Sequence, residues 1–389
     1  MNTLDHNFLI FENILSLGVE YTDDLIHDNI IRKILSSVDA RMQTNPIDVV
    51  MINYCLEIDY RPQCDSQLTW IAKVNFIKAK ISEKYKNIKL IIVLNDWHLA
   101  QEDFLRGALH VDEMYFVAYY LLREYHRIVI HKEAEFSAAW DSHHDNILLL
   151  TGKPNKPNRI GLLYALLSDL QLREQMVWSL FMLDELREEC FDILHKLYNI
   201  SLDEFDTFVE MNCRTPDNIT VLNNNGTIHY DGIPYQATMF NVAFAIVSET
   251  NMHKIADANF TEKTFRHIIN HVPFIMAGER DSHLVLKHQY GFKMFEYLYD
   301  MPFEEFNPSN LNDVVAASKS WANNIQHHAV QVKADVEFNF DRLEYLARAN
   351  LALFDTIIET NGLKNAIPTD LFRSKAGFFD GNHHVITMV

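Results

Sequence analysis

Short apolar runs alternate along the chain with longer segments whose apolar residues recur at helical spacing. The runs are FLIFENIL from Phe8, IDVVMINYCL from Ile47, IKLIIVLND from Ile88, RIVIH from Arg127, NILLLTG from Asn146 and FNVAFAIVSE from Phe240. Runs of this length are typical of strands that are buried on both faces of a parallel sheet and connected by covering helices. The pattern therefore predicts the α/β fold class.

A polar break and a change of period suggest where the chain divides. The stretch DSHHD, which ends at Asp145, directly precedes the predicted strand NILLLTG. From Phe338 to Thr360 the apolar residues recur at helical spacing, which predicts a long packing helix followed by a polar tail. We therefore predict one domain over residues 1–144, a second over 145–335, and a C-terminal helix and tail over 336–389.

Length, composition and net charge limit the number of domains, the partners and the cellular compartment that we expect. With 389 residues, of which 48% are hydrophobic, the chain is long enough for two domains that each bury a core. A formal net charge of −19 disfavours long-range attraction to nucleic acid or to an anionic membrane surface. No apolar run approaches the roughly 20 residues that span a bilayer, and the N-terminus lacks the basic start of a signal peptide. We expect a cytoplasmic protein with no membrane partner.

Metal binding is not indicated. The four cysteines form no CxxC pair and have no histidine nearby at zinc spacing. Three pairs of adjacent histidines occur, but neighbouring side chains point to different sides of a helix or strand, so each pair is a poor metal site. No DxD motif follows a predicted strand, so the sequence gives no reason to expect a divalent cation.

A basic loop follows the strand NILLLTG. The segment GKPNKPNR contains Lys153, Lys156 and Arg159 and leads into a helix. A loop between a strand and a helix places backbone N–H groups and these cations at the carboxyl end of the strand, where anions bind in α/β sheets. The alternative is an ordinary solvated basic turn.

A second polar cluster follows the strand FNVAFAIV. This strand ends at Ser248 and Glu249, and after a loop a helix is predicted to begin near Thr261, with Glu262 and Lys263 in its first turn. A carboxylate here can bind the two hydroxyls of a ribose, and a lysine at a helix N-terminus can neutralise a diphosphate.

A purely structural interpretation of the same residues remains open. Asn259 and Glu262 have the spacing of a capping box, and Glu262 with Arg266 has the spacing of an ordinary i, i+4 ion pair. Spacing alone does not decide between donor binding and helix capping.

The order VSET, loop, FTEKTFRHIINHVPFIMAG resembles the donor-binding segment of the fucosyltransferase-like glycosyltransferases over residues 245–279. The resemblance implies a GT-B-like fold of two Rossmann-like domains facing a cleft, with the nucleotide-sugar bound mainly by the C-terminal one. It also implies that Glu262 holds the ribose, that Lys263 contacts phosphate, and that Glu249 faces the sugar or nucleotide pocket. The chain departs from the family at Asn259, where an aromatic residue is frequent.

In this picture residues 1–144 bind the acceptor and residues 145–335 bind the donor. The donor site would comprise Lys153, Arg159, Ser248, Glu249, Thr261, Glu262 and Lys263. The first domain would supply a general base, and the candidates follow two predicted strands: Asp96 and His98 after IKLIIVL, and Asp59 after VVMINYC. Asp96 also suits a helix N-cap, and the sequence does not choose among the three.

These expectations define a glycosyltransferase that moves a sugar from a nucleotide-sugar donor to an acceptor hydroxyl, on a glycan or on a modified DNA base. The nucleotide-sugar is a co-substrate, and no cofactor or metal is expected. One alternative is a phage DNA glycosyltransferase acting on a hydroxymethylated base in the host cytoplasm. Another is a catalytically inactive nucleotide-sugar-binding or assembly protein on the same fold.

Overall fold

The computed structural model of the chain forms two compact units. It describes residues 8–11, 14–18, 28–44, 47–54, 65–95, 102–125, 129, 140, 143–150, 154–179, 186–212, 242–249 and 260–360. The described residues up to Arg123 and from Ala347 onwards form the first unit, and those between Glu124 and Leu346 form the second. The units divide at these residues rather than at the predicted 144/145 and 335/336.

The first unit contains a five-stranded sheet in the order β1-β2-β3-β4-β5. The strands are β1 (Phe8–Phe11), β2 (Ile14–Gly18), β3 (Val49–Tyr54), β4 (Lys89–Asn95) and β5 (Glu113–Val117). β1 pairs with β2 in the antiparallel sense, and each later pair is parallel. The run FLIFENIL is therefore two strands instead of one, because Phe11 pairs with Ile14 across the polar dipeptide Glu12-Asn13.

Helices separate the parallel strands of the first unit. They are α1 (Asp28–Thr44), α2 (Asp65–Lys84) and α3 (Glu102–Ala108). A further helix, α4 (Tyr119–Tyr125), follows β5, and the division between the units at Arg123/Glu124 falls within it. Within the sheet, residues 49–52 and 90–94 are all buried, which explains the near-continuous apolar runs of β3 and β4.

The second unit contains a four-stranded sheet whose pairs are all parallel, in the order β7-β6-β8-β9. The strands are β6 (Ile147–Leu150), β7 (Met176–Ser179), β8 (Phe244–Ser248) and β9 (Phe274–Ala277). Every residue of β8 and β9 is buried. The predicted strand RIVIH lies outside the described residues apart from Val129.

The helices that follow β6 and belong wholly or in part to the second unit differ greatly in length, and the last of them continues into the first unit from Ala347 onwards. They are α5 (Leu162–Ser168), α6 (Leu170–Arg173), α7 (Arg187–Tyr198), α8 (Leu202–Asn212), α9 (Glu262–Ile269), α10 (Ser282–Val285), α11 (Leu311–Asn324) and α12 (Ala329–Thr360). Trp321 of α11 is fully buried and packs edge-on against Phe244 of β8, with ring centroids 5.4 Å apart. α12 contains the predicted C-terminal helix and begins nine residues before it, whereas the predicted tail after Thr360 lies outside the described residues.

The structure confirms a mixed α/β class with parallel sheets, compatible with a Rossmann-like fold. In the part of the chain that the structure describes, no helix combines the length and the apolar character needed to cross a bilayer.

Candidate functional site

The strand order of the second sheet reverses between β6 and β8. From β6 the chain moves to β7 on one side, and later returns to β8 on the other side of β6. In open parallel sheets such a reversal leaves a crevice beyond the carboxyl ends of the two strands, and ligands bind there. Ser248 and Glu249 lie at the carboxyl end of β8, so the structure places this predicted pair at the reversal.

Asn158 ties the segment after β6 to the end of β8. It lies in a π-helical turn, Pro157–Gly161, that leads into α5. Its side-chain amide donates to the Ser248 hydroxyl at 3.2 Å and to the backbone carbonyl of Glu249, and the Ser248 hydroxyl donates back to the Asn158 carbonyl at 2.8 Å. All three residues are buried. Ser248, a predicted donor ligand, therefore already has a structural partner.

The Glu249 carboxylate points at the first turn of α9. One oxygen accepts from the Thr261 hydroxyl at 2.6 Å, and the other accepts from the Thr261 backbone N–H at 3.1 Å and from the Thr264 hydroxyl at 2.6 Å. Glu249 and Thr261 are each 1% exposed and Thr264 is fully buried. The end of β8 and the start of α9 are thus joined by three hydrogen bonds to one side chain.

Thr261 caps α9. Its hydroxyl accepts from the Lys263 backbone N–H at 3.4 Å and from the Lys263 ammonium at 3.1 Å. The same ammonium lies 3.4 Å from a carboxylate oxygen of Glu262. Both side chains are partly exposed, at 26% for Lys263 and 21% for Glu262, so they are accessible to a ligand at the helix N-terminus.

The structural alternatives predicted from spacing differ from the observed contacts. The N-cap of α9 is Thr261, whereas Asn259 lies outside the described residues. Arg266 forms its buried ion pair with Glu124 of α4, at 2.6 Å, rather than the expected pair with Glu262. Arg266 thus has a partner far outside the i, i+4 spacing that the sequence suggested.

Of the remaining predicted site residues, one lies within the described part of the chain and four lie outside it. Arg159 lies in the turn Pro157–Gly161 beside Asn158 and is 8% exposed. Lys153 of the same basic loop lies outside the described residues. The three candidate bases, Asp59, Asp96 and His98, also lie outside them.

Three residues at the site had no assigned role in the sequence: Asn158, Thr264 and Gly278. Asn158 belongs to the basic loop, and Thr264 lies two residues after Glu262, but neither spacing indicates a partner on β8. Gly278 follows β9, and a Cβ atom at this position would lie only 3.3 Å from the Cβ of Glu249. Its occurrence directly after the apolar run VPFIMA is the one sequence signal for this close approach.

His267 lies one turn after Lys263 on the buried side of α9. Its Nδ1–H donates to the Lys263 carbonyl at 2.6 Å, and burial lowers the pKa of its imidazole from 6.5 to about 4. His267 is therefore neutral at physiological pH and contributes no positive charge beside Lys263.

Among the described residues, no group of three or more His, Cys, Asp or Glu side chains is arranged to hold a metal ion. Comparison of the chain with models of protein families, with curated proteins and with solved structures finds no match.

Proposed function

We propose that this chain is a glycosyltransferase that transfers a sugar from a nucleotide-sugar to an acceptor hydroxyl. The observation that carries the proposal is the junction of β8 with α9 at the strand-order reversal, where Glu249 accepts three hydrogen bonds from Thr261 and Thr264. The two motifs that resemble the donor-binding segment of fucosyltransferase-like enzymes, VSE and TEK, meet at this junction.

The partly exposed pair at the start of α9 supplies the donor contacts. In the proposed complex the Glu262 carboxylate accepts hydrogen bonds from the two ribose hydroxyls, and the Lys263 ammonium binds the diphosphate. The N-terminal end of α9 adds the favourable field of its helix dipole. When the glycosidic bond to the diphosphate breaks, negative charge grows on the leaving group, and a fixed cation stabilises it most in the transition state.

The GT-B arrangement is part of the proposal. The second unit binds the nucleotide-sugar, and the first unit binds the acceptor and removes a proton from its hydroxyl. The proposed bases are Asp59, Asp96 and His98, each of which follows a strand of the first sheet in sequence.

A thermal-shift screen against UDP-, GDP-, CMP- and ADP-sugars tests donor binding. A ligand at 100 times its dissociation constant adds about 2.7 kcal/mol to the free energy of unfolding, which raises the melting temperature by several degrees. The Glu262→Gln variant should weaken the binding found in the screen by about 1–3 kcal/mol while the protein stays folded, because a charge-assisted hydrogen bond is lost.

Glu188→Gln is the matched control, because Glu188 is an exposed carboxylate in the first turn of α7 in the same unit. It should bind the donor like the wild type. If no nucleotide-sugar shifts the melting temperature, the proposed function is wrong. If Glu262→Gln and Glu188→Gln bind equally well, Glu262 does not hold the ribose.

A further inference from the structure

Glu249 occupies the position expected of a ligand contact, yet its side chain faces into the protein. Its two oxygens have about four acceptor sites between them, and three are used by donors from Thr261 and Thr264. At 1% exposure, the carboxylate has little surface left for a sugar.

We propose that Glu249 is a positioning residue that orients the Lys263 ammonium for the donor diphosphate and does not itself touch the donor. This inference rests on the proposed function, because the donor is what Lys263 is positioned to bind. It changes the role of Glu249 from the sugar or nucleotide contact implied by the family resemblance to a support for α9.

The Thr261 hydroxyl connects Glu249 to Lys263. A hydroxyl has one proton to donate and two lone pairs that accept. Its proton is directed to Glu249 at 2.6 Å, so both lone pairs are available to Lys263, one to the backbone N–H at 3.4 Å and one to the ammonium at 3.1 Å. Glu249 thus fixes the direction of the Thr261 hydroxyl, which in turn holds both ends of Lys263.

The position of the Glu249 side chain depends on Thr264, which donates a hydrogen bond to it, and on Gly278, which leaves space for its Cβ atom. The Thr264 hydroxyl donates to the Glu249 oxygen that also accepts from the Thr261 N–H. On the neighbouring strand, Ala277 accepts a hydrogen bond from the Glu249 backbone N–H at 2.9 Å, and the next residue is Gly278. A Cβ atom at Gly278 would lie 3.3 Å from the Glu249 Cβ, so an alanine there would displace the Glu249 side chain by a few tenths of an ångström.

Variants that act on Glu249 without removing it separate positioning from direct binding. Thr264→Val keeps the shape of the side chain but removes the hydroxyl, Thr264→Ser restores the hydroxyl, and Gly278→Ala moves Glu249 while leaving its hydrogen-bonding groups intact. Gly107→Ala is the control, because a Cβ atom at this exposed helix position meets nothing within 4 Å.

Calorimetric titration with UDP, GDP, CDP and ADP measures affinity, and amide exchange over residues 261–265 measures the order of the first turn of α9. We expect Thr264→Val and Gly278→Ala to bind the diphosphate about tenfold more weakly and to exchange faster in this turn, because a hydrogen bond to a carboxylate is lost or misdirected. Thr264→Ser should recover most of the affinity, and Gly107→Ala should behave like the wild type. Far-UV circular dichroism confirms that each variant is folded at the temperature of the titration.

The outcomes separate the two proposals. If the wild type binds none of the four diphosphates, this inference fails, whereas the proposed function fails only if the nucleotide-sugar screen also finds no donor. If the wild type binds one of them, and Glu249→Gln abolishes binding while Thr264→Val and Gly278→Ala bind normally, Glu249 is a direct ligand and only the positioning role is overturned. Unchanged binding in all three variants also overturns the positioning role, because Lys263 would then be oriented without Glu249.

Discussion

Two buried histidines of the second unit make its stability depend on pH. Burial lowers the pKa of His267 and of His283 from 6.5 to about 4. Each donates one ring N–H to a backbone carbonyl, His267 to Lys263 at 2.6 Å and His283 to Phe303 at 3.0 Å. In the folded protein both are therefore neutral at a pH where the unfolded chain is already protonated.

Between pH 6.5 and 4 the unfolded state binds more protons than the folded state, so the free energy of unfolding falls as the pH is lowered through this range. At pH 5 each histidine should lower the free energy of unfolding by about 2 kcal/mol relative to its value at pH 7. Urea denaturation at the two pH values measures the loss. Carboxylates that titrate in the same range also change the free energy of unfolding between the two pH values. The contribution of the histidines is therefore measured by comparing the wild type with variants that lack them.

His267→Asn and His283→Gln retain an amide N–H near the original donor atom but do not titrate. Each variant should lose about 2 kcal/mol less than the wild type between pH 7 and pH 5. An equal loss in the wild type and both variants would show that neither imidazole is the source of the dependence.

At the site, the residue types were predictable from the sequence, but their partners were not. A helix start near Thr261 follows from local spacing, and Thr261 is the N-cap. Arg266 pairs instead with Glu124, which lies 142 residues earlier in the chain, because a buried guanidinium needs an equally buried carboxylate. Local periodicity describes neighbours within one helix and has no information about such distant partners.

At the scale of elements, the buried Arg266–Glu124 pair joins α9 to α4. The side chains are 8% and 1% exposed, and both residues belong to the second unit. Arg266→Met should lower the free energy of unfolding by about 3–5 kcal/mol, because it leaves the Glu124 carboxylate buried without this cation. The double variant with Glu124→Leu should recover most of that loss, since a buried apolar pair costs no charge desolvation.

Arg187→Met is the matched control, because the Arg187–Asp206 pair is 40% and 50% exposed in the same unit. Exposed pairs contribute at most about 1 kcal/mol, so this variant should unfold close to the wild type. Denaturant titration of all the variants gives the comparison. A loss for Arg266→Met no greater than for Arg187→Met, or no recovery in the double variant, would contradict a stabilising role for the buried pair.

Sequence periodicity found four of the five interior strands, merged the fifth, β2, with the edge strand β1, and missed two of the edge strands. β3, β4, β6 and β8 were predicted because an interior strand is covered on both faces and is apolar throughout. β5 and β7 were not predicted, and each lies at an edge of its sheet. β5, with the sequence EMYFV, has only its second and fifth residues buried, so it shows no continuous apolar run. The reversal between β6 and β8 could not be predicted, because periodicity identifies strands but not which strands pair.

At the scale of the whole molecule, the two compact units divide away from the polar break that suggested a boundary. The indole N–H of Trp140 donates to the Ala243 carbonyl at 2.9 Å, and the Gln326 amide donates to the His144 carbonyl at 3.2 Å. These contacts attach residues before β6 to the second unit, in agreement with the division at Arg123/Glu124. A polar stretch indicates exposure to solvent, whereas a unit boundary depends on long-range contacts that hydropathy does not encode.

During sugar transfer, negative charge grows on the departing nucleoside diphosphate. We predict that basic side chains of the protein stabilise this charge. Arg159 and Lys263 are proposed to supply the positive charge that a divalent ion provides in DxD enzymes, with Lys153 of the same basic loop. Arg159→Ala and Lys263→Ala should therefore lower kcat more than they raise KM, because the charge on the departing nucleoside diphosphate is largest in the transition state.

Steady-state kinetics with the donor identified by the binding screen, in the presence and absence of EDTA, tests this charge assignment. EDTA should leave most of the activity in the wild type. Lys333→Ala changes the net charge by the same amount at an exposed position of α12 and should leave both kcat and KM unchanged. If EDTA abolishes turnover and Mg²⁺ or Mn²⁺ restores it, the charge is supplied by a metal. If Lys263→Ala raises KM without lowering kcat, Lys263 binds the donor equally in the ground and transition states and does not assist departure of the leaving group.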